Sequence, residues 1–163
     1  MNLSIRRAAV DDIPLIAALA EKIWRIHYPP IIGDEQVEYM LQLMYSASGI
    51  REQMEQGQQF FLLQKDHHPV GYLAVSEKDQ GHYFLHKFYI LNEEQGKGLG
   101  KRFFQEIIQN FCPGILDIRL TVNRKNYKSI NFYFRLGFVI EKVKDFDIGN
   151  GYFMEDFVMV KNV

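Results

Sequence analysis

The chain has 163 residues, of which 47% are hydrophobic and 14% aromatic, and its formal net charge is −1. This length predicts one domain over residues 1–163 with a sizeable core, and the charge argues against a general nucleic-acid binder. A lone cysteine, Cys112, excludes an internal disulfide and indicates a reducing, cytoplasmic location. No apolar run approaches the ~20 residues of a membrane span, so a membrane partner is not expected.

The first half of the chain predicts a strand, three helical segments and two further strands. Alternating residues over Leu3–Arg6 predict the first strand. A helical stripe begins near Ile13 and ends before Pro29 and Pro30, because two prolines cannot continue a helix. Two shorter helices, near 34–44 and 48–55, and strands at 59–64 and 70–75 follow.

The middle of the chain joins an apolar strand to an amphipathic helix through a glycine-rich turn. Residues Tyr83–Leu91 predict the strand, residues Leu99–Phe111 predict the helix, and three glycines spaced G-x-G-x-G lie at the turn. Glycine permits φ > 0 and close approach of a ligand, and a helix start offers unpaired N–H groups to an anion. This turn therefore predicts a phosphate site, and a solvated turn is the alternative.

The remaining chain predicts a strand, a helix and a terminal hairpin. The strand covers 116–122, the helix 126–136 ends at Gly137, and strands from Phe138 and over 152–160 flank a turn at 147–151. The predicted fold class is therefore α/β (α+β), a mixed sheet with helices on both faces. The last strand favours burial in the core, and pairing with a second subunit in a homodimer is the alternative.

Two motifs carry a family resemblance. Gln95-Gly96-Lys97-Gly98-Leu99-Gly100 resembles the Q/R-x-x-G-x-G/A loop of the GNAT superfamily of acyl-CoA-dependent N-acetyltransferases. The segment from Asn126 through Tyr133 to Gly137-Phe138 is similar to the family's N-x-x-[AS]-x-x-x-Y-x-x-x-G-F motif. The resemblance covers essentially the whole chain. A looser similarity of residues 37–46 to bacterial spermidine/spermine-type acetyltransferases bears only on the choice of acceptor.

The resemblance implies a splayed sheet with acetyl-CoA as co-substrate and no metal. Pantetheine would insert as a false strand between the strands at 83–91 and 116–122. Backbone groups of Phe88, Tyr89 and Ile90 would pair with its amides, and Asn126 would contact the cofactor near pantetheine or cap its own helix. The pyrophosphate would be held by the loop residues Gln95, Gly96, Lys97, Gly98, Leu99, Gly100 and Lys101.

The resemblance also assigns proton-transfer roles. Tyr133 occupies the position from which family members deliver a phenol to the coenzyme A sulfur, and a phenol with a pKa near 10 can protonate a thiolate. Many members place a basic glutamate where this chain has Thr121. His86 is the predicted substitute, because arylalkylamine N-acetyltransferases carry a histidine at this position and a neutral imidazole accepts a proton. Core packing is the alternative for both side chains.

The predicted function is acetyl transfer to a primary amine of a small molecule, with a polyamine-like acceptor favoured. Alternatives are acetylation of a protein N-terminus or lysine, and a non-catalytic acyl-CoA-binding sensor. The bulky segment from Trp24 to Met54 favours a closed pocket over an open groove. Five acids between residues 34 and 55 predict a solvated face, or else attraction of a cationic amine: Asp34, Glu35, Glu38, Glu52 and Glu55.

Overall fold

The computed structural model describes residues 2–163, which form one seven-stranded sheet with helices on both faces. The strands are Leu3–Arg7 (β1), Gln59–Lys65 (β2), His68–Asp79 (β3), His82–Ile90 (β4), Asp117–Asn123 (β5), Val139–Gly149 (β6) and Tyr152–Asn162 (β7). The helices are Ile13–His27 (α1), Pro29–Ile32 (α2), Asp34–Tyr45 (α3), Ala47–Glu55 (α4), Leu99–Phe111 (α5) and Tyr127–Leu136 (α6). The predicted mixed fold is thus confirmed.

The sheet has the order β1-β2-β3-β4-β5-β7-β6, and it opens in the middle. Strands β4 and β5 run parallel but pair only at their first residues, from His82↔Asp117 to Phe84↔Arg119. Beyond that point the two strands diverge, although β4 continues to Ile90 and β5 to Asn123. Along this divergent stretch the facing edges of β4 and β5 are not paired with each other. Their backbone groups border an open slot between the two strands.

Two hydrophobic cores lie on opposite faces of the sheet. One contains Phe103 and Ile107 of α5 with Ile130 of α6, and the other contains Trp24 of α1 and Met40 of α3. The slot between β4 and β5 therefore connects a helical layer on one face with a helical layer on the other.

Several element boundaries differ from the sequence-based prediction. Helix α1 ends at His27 as predicted, but Pro29 and Pro30 then open the short helix α2, where a proline lacks only an N–H that would be unpaired anyway. Strand β3 begins at His68 and ends at Asp79, beyond both predicted limits. Strand β6 extends to Gly149, because its pairing with β7 overrides the weak strand propensity of its charged residues.

The edge of the sheet at β6 carries exposed apolar side chains. Val139 and Val143 of β6 are 58% and 61% exposed, while Val158 and Met159 of β7 are buried. The predicted burial is therefore found for these two residues, whereas Phe153 at the start of β7 is 50% exposed. The homodimer stays a prediction. None of the helices within residues 2–163 has the length and apolar character needed to cross a membrane.

Candidate active site

The glycine turn before α5 holds its backbone in a left-handed conformation. Gly96 has φ +79° and Gly98 has φ +76°, and a Cβ added at either position would meet no atom within 4 Å. The need for glycine there is conformational, since L-residues rarely adopt such angles. Gly98 caps α5 without any side-chain hydrogen bond, so the N–H groups of the first turn point outward and remain available to an anion.

Gly100 is required for a different reason. A Cβ on this residue would lie 2.9 Å from Cζ of Phe132, so glycine at this position lets α5 approach α6 without displacing that ring. Gln95 fixes the start of the turn: its Nε2 donates to the Ile90 carbonyl at 3.0 Å, and its Oε1 accepts from Nζ of Lys128 at 2.5 Å. The turn is thereby attached to both β4 and α6.

Lys97 is engaged within the protein. Its Nζ lies 3.2 Å from Oε2 of Glu94, which is also 2.9 Å from Nζ of Lys65. These contacts lower the pKa of the Glu94 carboxyl, chiefly through its hydrogen bond with Lys65. Anion binding at the turn would therefore rely on backbone N–H groups. Lys97 could also turn from Glu94 to the anion, because Lys65 would still pair with the Glu94 carboxylate.

The edge of β4 that faces the slot presents alternate backbone groups. Leu91 N–H donates to the Val70 carbonyl of β3 at 2.8 Å, whereas the Ile90 carbonyl accepts from Gln95 on the opposite side. Since successive residues of a strand direct their backbone groups to opposite edges, Phe88 and Ile90 face the slot and Tyr89 faces β3. Of the three residues predicted to pair with pantetheine, two thus have their backbone groups oriented for it.

A cavity of about 340 Å³ extends from this slot into the α1 side of the sheet. It is lined by Tyr28 near the end of α1, Met40 of α3 and Gln53 of α4, together with residues of β4, β5 and β7. Helix α3 is fastened to the β6–β7 hairpin, since Tyr39 donates its hydroxyl to the Ile148 carbonyl at 2.5 Å. Helices α1, α3 and α4 thus contribute side chains to one side of the cavity, and a closed acceptor pocket stays a prediction.

Tyr133 reaches the same cavity from α6. Its ring is 9% exposed, and burial raises the pKa of its phenol well above the usual value, so it stays a neutral hydrogen-bond donor at every physiological pH. Two further phenols line the cavity, and the hydroxyls of Tyr28 and Tyr89 lie 3.0 Å apart. The structure therefore brings Tyr133 to a group of hydroxyls at the slot.

Asn126 is the N-cap residue of α6, a position that asparagine favours. Its Oδ1 accepts from Ser129 N–H at 3.4 Å and lies 3.1 Å from Nε2 of His27, although the side chain is only 2% exposed. Since an amide oxygen only accepts, the His27 nitrogen is the donor in this pair. Burial lowers the pKa of His27, which favours the neutral ring. Asn126 thus links α6 to α1 beside the cavity.

His86 sits at a β-bulge in β4. Ala74 of β3 pairs with Lys87 and Val75 pairs with Leu85, so His86 is an extra residue without a cross-strand partner. Its Nε2 lies 2.7 Å from Oγ of Ser76, and its ring lines the cavity. Burial and two nearby lysines lower the pKa of His86 to about 3. The imidazole is consequently neutral at pH 7, and its proton affinity is weak.

The same bulge turns Lys87 into the core on the α1 side. Leu85 and Phe88 pack on the α5 side, so the inserted residue is what directs Lys87 to the opposite face. Nζ of Lys87 donates to Oε1 of Gln58 at 3.0 Å and lies 5.3 Å from the Phe60 ring centroid. The side chain is 4% exposed, and desolvation lowers its pKa to about 7.

Asp156 is the functional candidate that sequence reasoning missed. It lies on β7, lines the cavity and is 5% exposed. Burial raises the pKa of its carboxyl to about 6, and the nearby Thr121 hydroxyl acts in the opposite direction. A single aspartate in an alternating strand gives no local signal. Only the pairing of β7 with β5, which brings Asp156 next to the glutamate position that Thr121 occupies, could have indicated it.

The five acidic residues between positions 34 and 55, which were candidates for attracting a cationic amine, do not line the cavity. Glu38 forms an ion pair with Arg25 at 2.8 Å, which lowers the pKa of its carboxyl, and the others are solvent-facing or partly so. Their interpretation as a solvated face is therefore the better one. Within residues 2–163, no three His, Cys, Asp or Glu side chains are grouped so that they could hold a metal ion.

A sequence profile described as "Acetyltransferase (GNAT) domain" matches residues 30–149. The chain belongs to the GNAT family of acetyltransferases. A spermidine N(1)-acetyltransferase of Thermoplasma acidophilum is 26% identical over 164 residues, which cover 95% of this chain and 97% of the relative. An uncharacterized N-acetyltransferase of Mycobacterium bovis is 25% identical over 156 residues, which cover 94% of this chain and 99% of the relative.

Solved GNAT structures have the same fold. The PaiA N-acetyltransferase of Thermoplasma acidophilum, solved in complex with coenzyme A, superposes with a TM-score of 0.80 at 26% identity over 100% of both chains. The ribosomal-protein-S18-alanine N-acetyltransferase of Escherichia coli gives 0.74 at 15% identity, covering 99% of this chain and 94% of that one, which shows the fold alone. The predicted GNAT membership and the acyl-CoA-dependent acetyltransferase activity are thereby confirmed.

Proposed function

We propose that this GNAT enzyme moves the acetyl group of acetyl-CoA to a primary amine of a small molecule, with Tyr133 as the general acid. The observation that carries the proposal is one cavity of about 340 Å³ that contains both the slot edge of β4 and the Tyr133 side chain. Small-molecule sites are typically enclosed cavities of ~300–1,000 Å³ with few polar groups. The α3–hairpin contact supports an enclosed acceptor site over an open peptide groove.

The binding of acetyl-CoA would use backbone more than side chains. The pyrophosphate would accept hydrogen bonds from N–H groups between Gly96 and Lys101, where the turn and the first turn of α5 leave them free. Pantetheine would pair with Phe88 and Ile90 along the divergent part of β4. The thioester would then lie near Tyr133, because pantetheine and the phenol share the slot.

Acyl transfer would proceed by direct attack. The neutral amine attacks the thioester carbonyl carbon, a C–N bond forms, and the C–S bond breaks as the tetrahedral intermediate collapses. Tyr133 donates its phenolic proton to the departing sulfur, and its raised pKa ensures that this proton is present at the start. His86 is proposed as a neutral hydrogen-bonding group beside the acceptor, and its alternative role as proton acceptor is limited by its low pKa.

A polyamine is the first acceptor class to test. Its support is the similarity to a spermidine N(1)-acetyltransferase across 95% of the chain. The cavity itself contains one carboxylate, Asp156, and one lysine, Lys87, among its lining residues. One carboxylate matches one ammonium group, so a monoamine with an uncharged body belongs in the same panel as a polyamine.

The experiment is a free-thiol release assay with acetyl-CoA over monoamines, polyamines, amino acids and peptides. We expect turnover with at least one small primary amine and little with peptides, and mass spectrometry should show one added acetyl group. Calorimetry with coenzyme A is the companion measurement. Binding of coenzyme A without turnover on any amine would favour the sensor alternative, and efficient turnover of peptides would favour the protein acetyltransferase.

A further inference from the structure

We propose that Asp156 is the general base of this enzyme: a carboxylate delivered from β7 that takes the proton of the acceptor ammonium in place of the glutamate absent at Thr121. The inference rests on the proposed function and deepens it. Its basis is the juxtaposition of three residues, Thr121, Tyr133 and Asp156, around one cavity.

Strand pairing places Asp156 close to position 121, so that its carboxylate can occupy the space that a longer side chain at position 121 would reach. Asp156 is paired with Asn123 in the antiparallel β5–β7 ladder, and Thr121 is paired with Val158. Side chains of directly opposed residues share a face, as do residues two apart on one strand, so Thr121 and Asp156 project from the same face of the sheet. They are diagonal neighbours there, within the reach of a carboxylate.

The carboxylate has no ion-pair partner within residues 2–163. Nη1 of Arg124 donates to Oδ1 of Asp145 at 2.8 Å and to the backbone carbonyl of Asp156 at 3.1 Å, so this nitrogen contacts the backbone of Asp156 and not its carboxylate. An unpaired buried carboxylate is costly for folding, and such groups are found preferentially at functional sites. The buried Asp156 is thus placed for contact with a cationic ligand instead of a structural ion pair.

The groups that face Asp156 come from three elements. Desolvation is the largest influence and raises the pKa of the Asp156 carboxyl, as does the negative charge of Asp145 on β6, and together they outweigh the Thr121 hydroxyl and Arg124, which lower it. Lys144, the cross-strand residue on β6, extends over the Phe146 ring at 4.9 Å from its centroid. Tyr28 faces the carboxylate from the end of α1, and burial together with the smaller effect of the Asp156 charge raises the pKa of that phenol to about 12.

These surroundings give Asp156 a pKa of about 6, which suits a base that must be ionised at pH 7 and still accept a proton. His86, with a pKa near 3, has far less proton affinity. Lys87 has a pKa of about 7, but its Nζ is occupied by Gln58 and lies against Phe60. Among the cavity residues, Asp156 alone combines a negative charge that attracts an ammonium with a basicity near neutrality.

The proton transfers balance in the following way. Asp156 takes one proton from the ammonium of the acceptor, and the neutral nitrogen attacks the thioester. After attack the nitrogen carries one surplus proton. Tyr133 gives its own proton to the sulfur and recovers this surplus proton from the nitrogen. The products are the amide, the free thiol and one proton, which Asp156 releases to solvent.

The test is the pH dependence of kcat/KM for Asp156→Asn against the wild-type enzyme, with one acceptor throughout. Wild type should lose kcat/KM below about pH 6, where Asp156 becomes protonated. The variant should be slower by ~10²–10⁴-fold at pH 7 and should lack this acid limb. Affinity for coenzyme A, measured by calorimetry, should be unchanged. An unaltered acid limb in the variant, or a loss below tenfold, would overturn the inference.

A second variant moves the carboxylate. Thr121→Glu combined with Asp156→Asn returns the base to β5, and we expect it to recover at least tenfold of the lost rate. A purely structural role for Asp156 predicts no such recovery. The matched control is Asp145→Asn, which removes an exposed neighbouring carboxylate outside the cavity lining. It should keep the rate within twofold and move the acid limb to lower pH, since Asp145 raises the pKa of Asp156.

The outcomes separate this inference from the proposed function. If wild type binds coenzyme A and releases thiol with an amine, the function stands whatever the variants do. If wild type is active while the rate and pH profile survive Asp156→Asn, only the role of Asp156 is wrong. Circular dichroism and thermal melting of each variant distinguish loss of chemistry from loss of fold.

Discussion

The glycine turn before α5 and the cavity beside β4 and β5 are built on opposite principles. The turn is one continuous segment, Gln95–Lys101, whose proposed binding groups are backbone amides, and Gly96 and Gly98 within it have a left-handed conformation. The cavity is assembled from side chains of helices α1 to α4 and α6 and of strands β4 to β7, which are far apart in the chain. Backbone recognition thus leaves a motif in the sequence, whereas a side-chain constellation becomes visible only after folding.

From this contrast we expect the substitution of a cavity side chain to change the rate of the chemical step. The largest effect is expected for Tyr133→Phe. Removing the hydroxyl should lower kcat by ~10²–10⁴-fold, because the phenol acts as acid only when the C–S bond breaks. Affinity for acetyl-CoA should stay within twofold. Stopped-flow thiol release and calorimetry measure the two effects. A variant with unchanged kcat would remove Tyr133 from the mechanism.

A second prediction concerns the free energy of unfolding that is lost by burying Lys87. Lys87 is buried, and its pKa is lowered from 10.5 to about 7, so the folded state binds a proton less strongly than the unfolded state. The cost is complete below about pH 7, and it is relieved as the pH rises towards 10.5. Lys87→Met should therefore raise the free energy of unfolding by ~1–4 kcal/mol at pH 6, with a smaller gain at pH 9.

Urea denaturation at the two pH values measures this gain, and Lys78→Met is the matched control on the exposed end of β3. The control should change stability by less than ~0.5 kcal/mol at either pH. A gain for Lys87→Met that grew with pH would contradict the assigned direction.

For the turn, the expected effect is on affinity. Gly98→Ala meets no steric obstacle but forces an L-residue to φ +76°, at ~1–2 kcal/mol. If the turn relaxes to avoid this strain, its amides lose alignment and KM for acetyl-CoA should rise about tenfold with kcat nearly unchanged. Gly57→Ala is the matched control, because Gly57 has φ +101°, no atom within 4 Å of an added Cβ and no place in the site. It should destabilise the fold similarly and leave KM unaltered.

The smallest effect is expected for His86→Gln. The imidazole is neutral over the assay range, since its pKa is about 3, and glutamine preserves a hydrogen-bonding group near Ser76. We expect kcat/KM to fall less than tenfold, with the acid limb at the same pH. Disappearance of that limb in a pH–rate profile would instead make His86 the base, as the sequence predicted.

The sequence could predict most of the fold and the glycine turn before α5, because these depend on local patterns. Alternation, helical spacing and glycine at Gly96 and Gly98 are properties of neighbouring residues. The position of Asp156 in the cavity was not predictable in this way, since it depends on the ladder between β5 and β7. The orientation of Lys87 was equally hidden, because one inserted residue, His86, changes which face the following side chains occupy.

The slot has a mechanical consequence as well. With only three residue pairs joining β4 to β5, from His82↔Asp117 to Phe84↔Arg119, the sheet is two half-sheets held together at one end. A pantetheine arm inserted there would supply the missing rungs and couple the halves. Coenzyme A should therefore slow amide hydrogen exchange in β5 and β7 as well as in the turn at Gln95–Lys101. Binding of the acyl donor would in this way make the strands that line the cavity more rigid before the amine attacks.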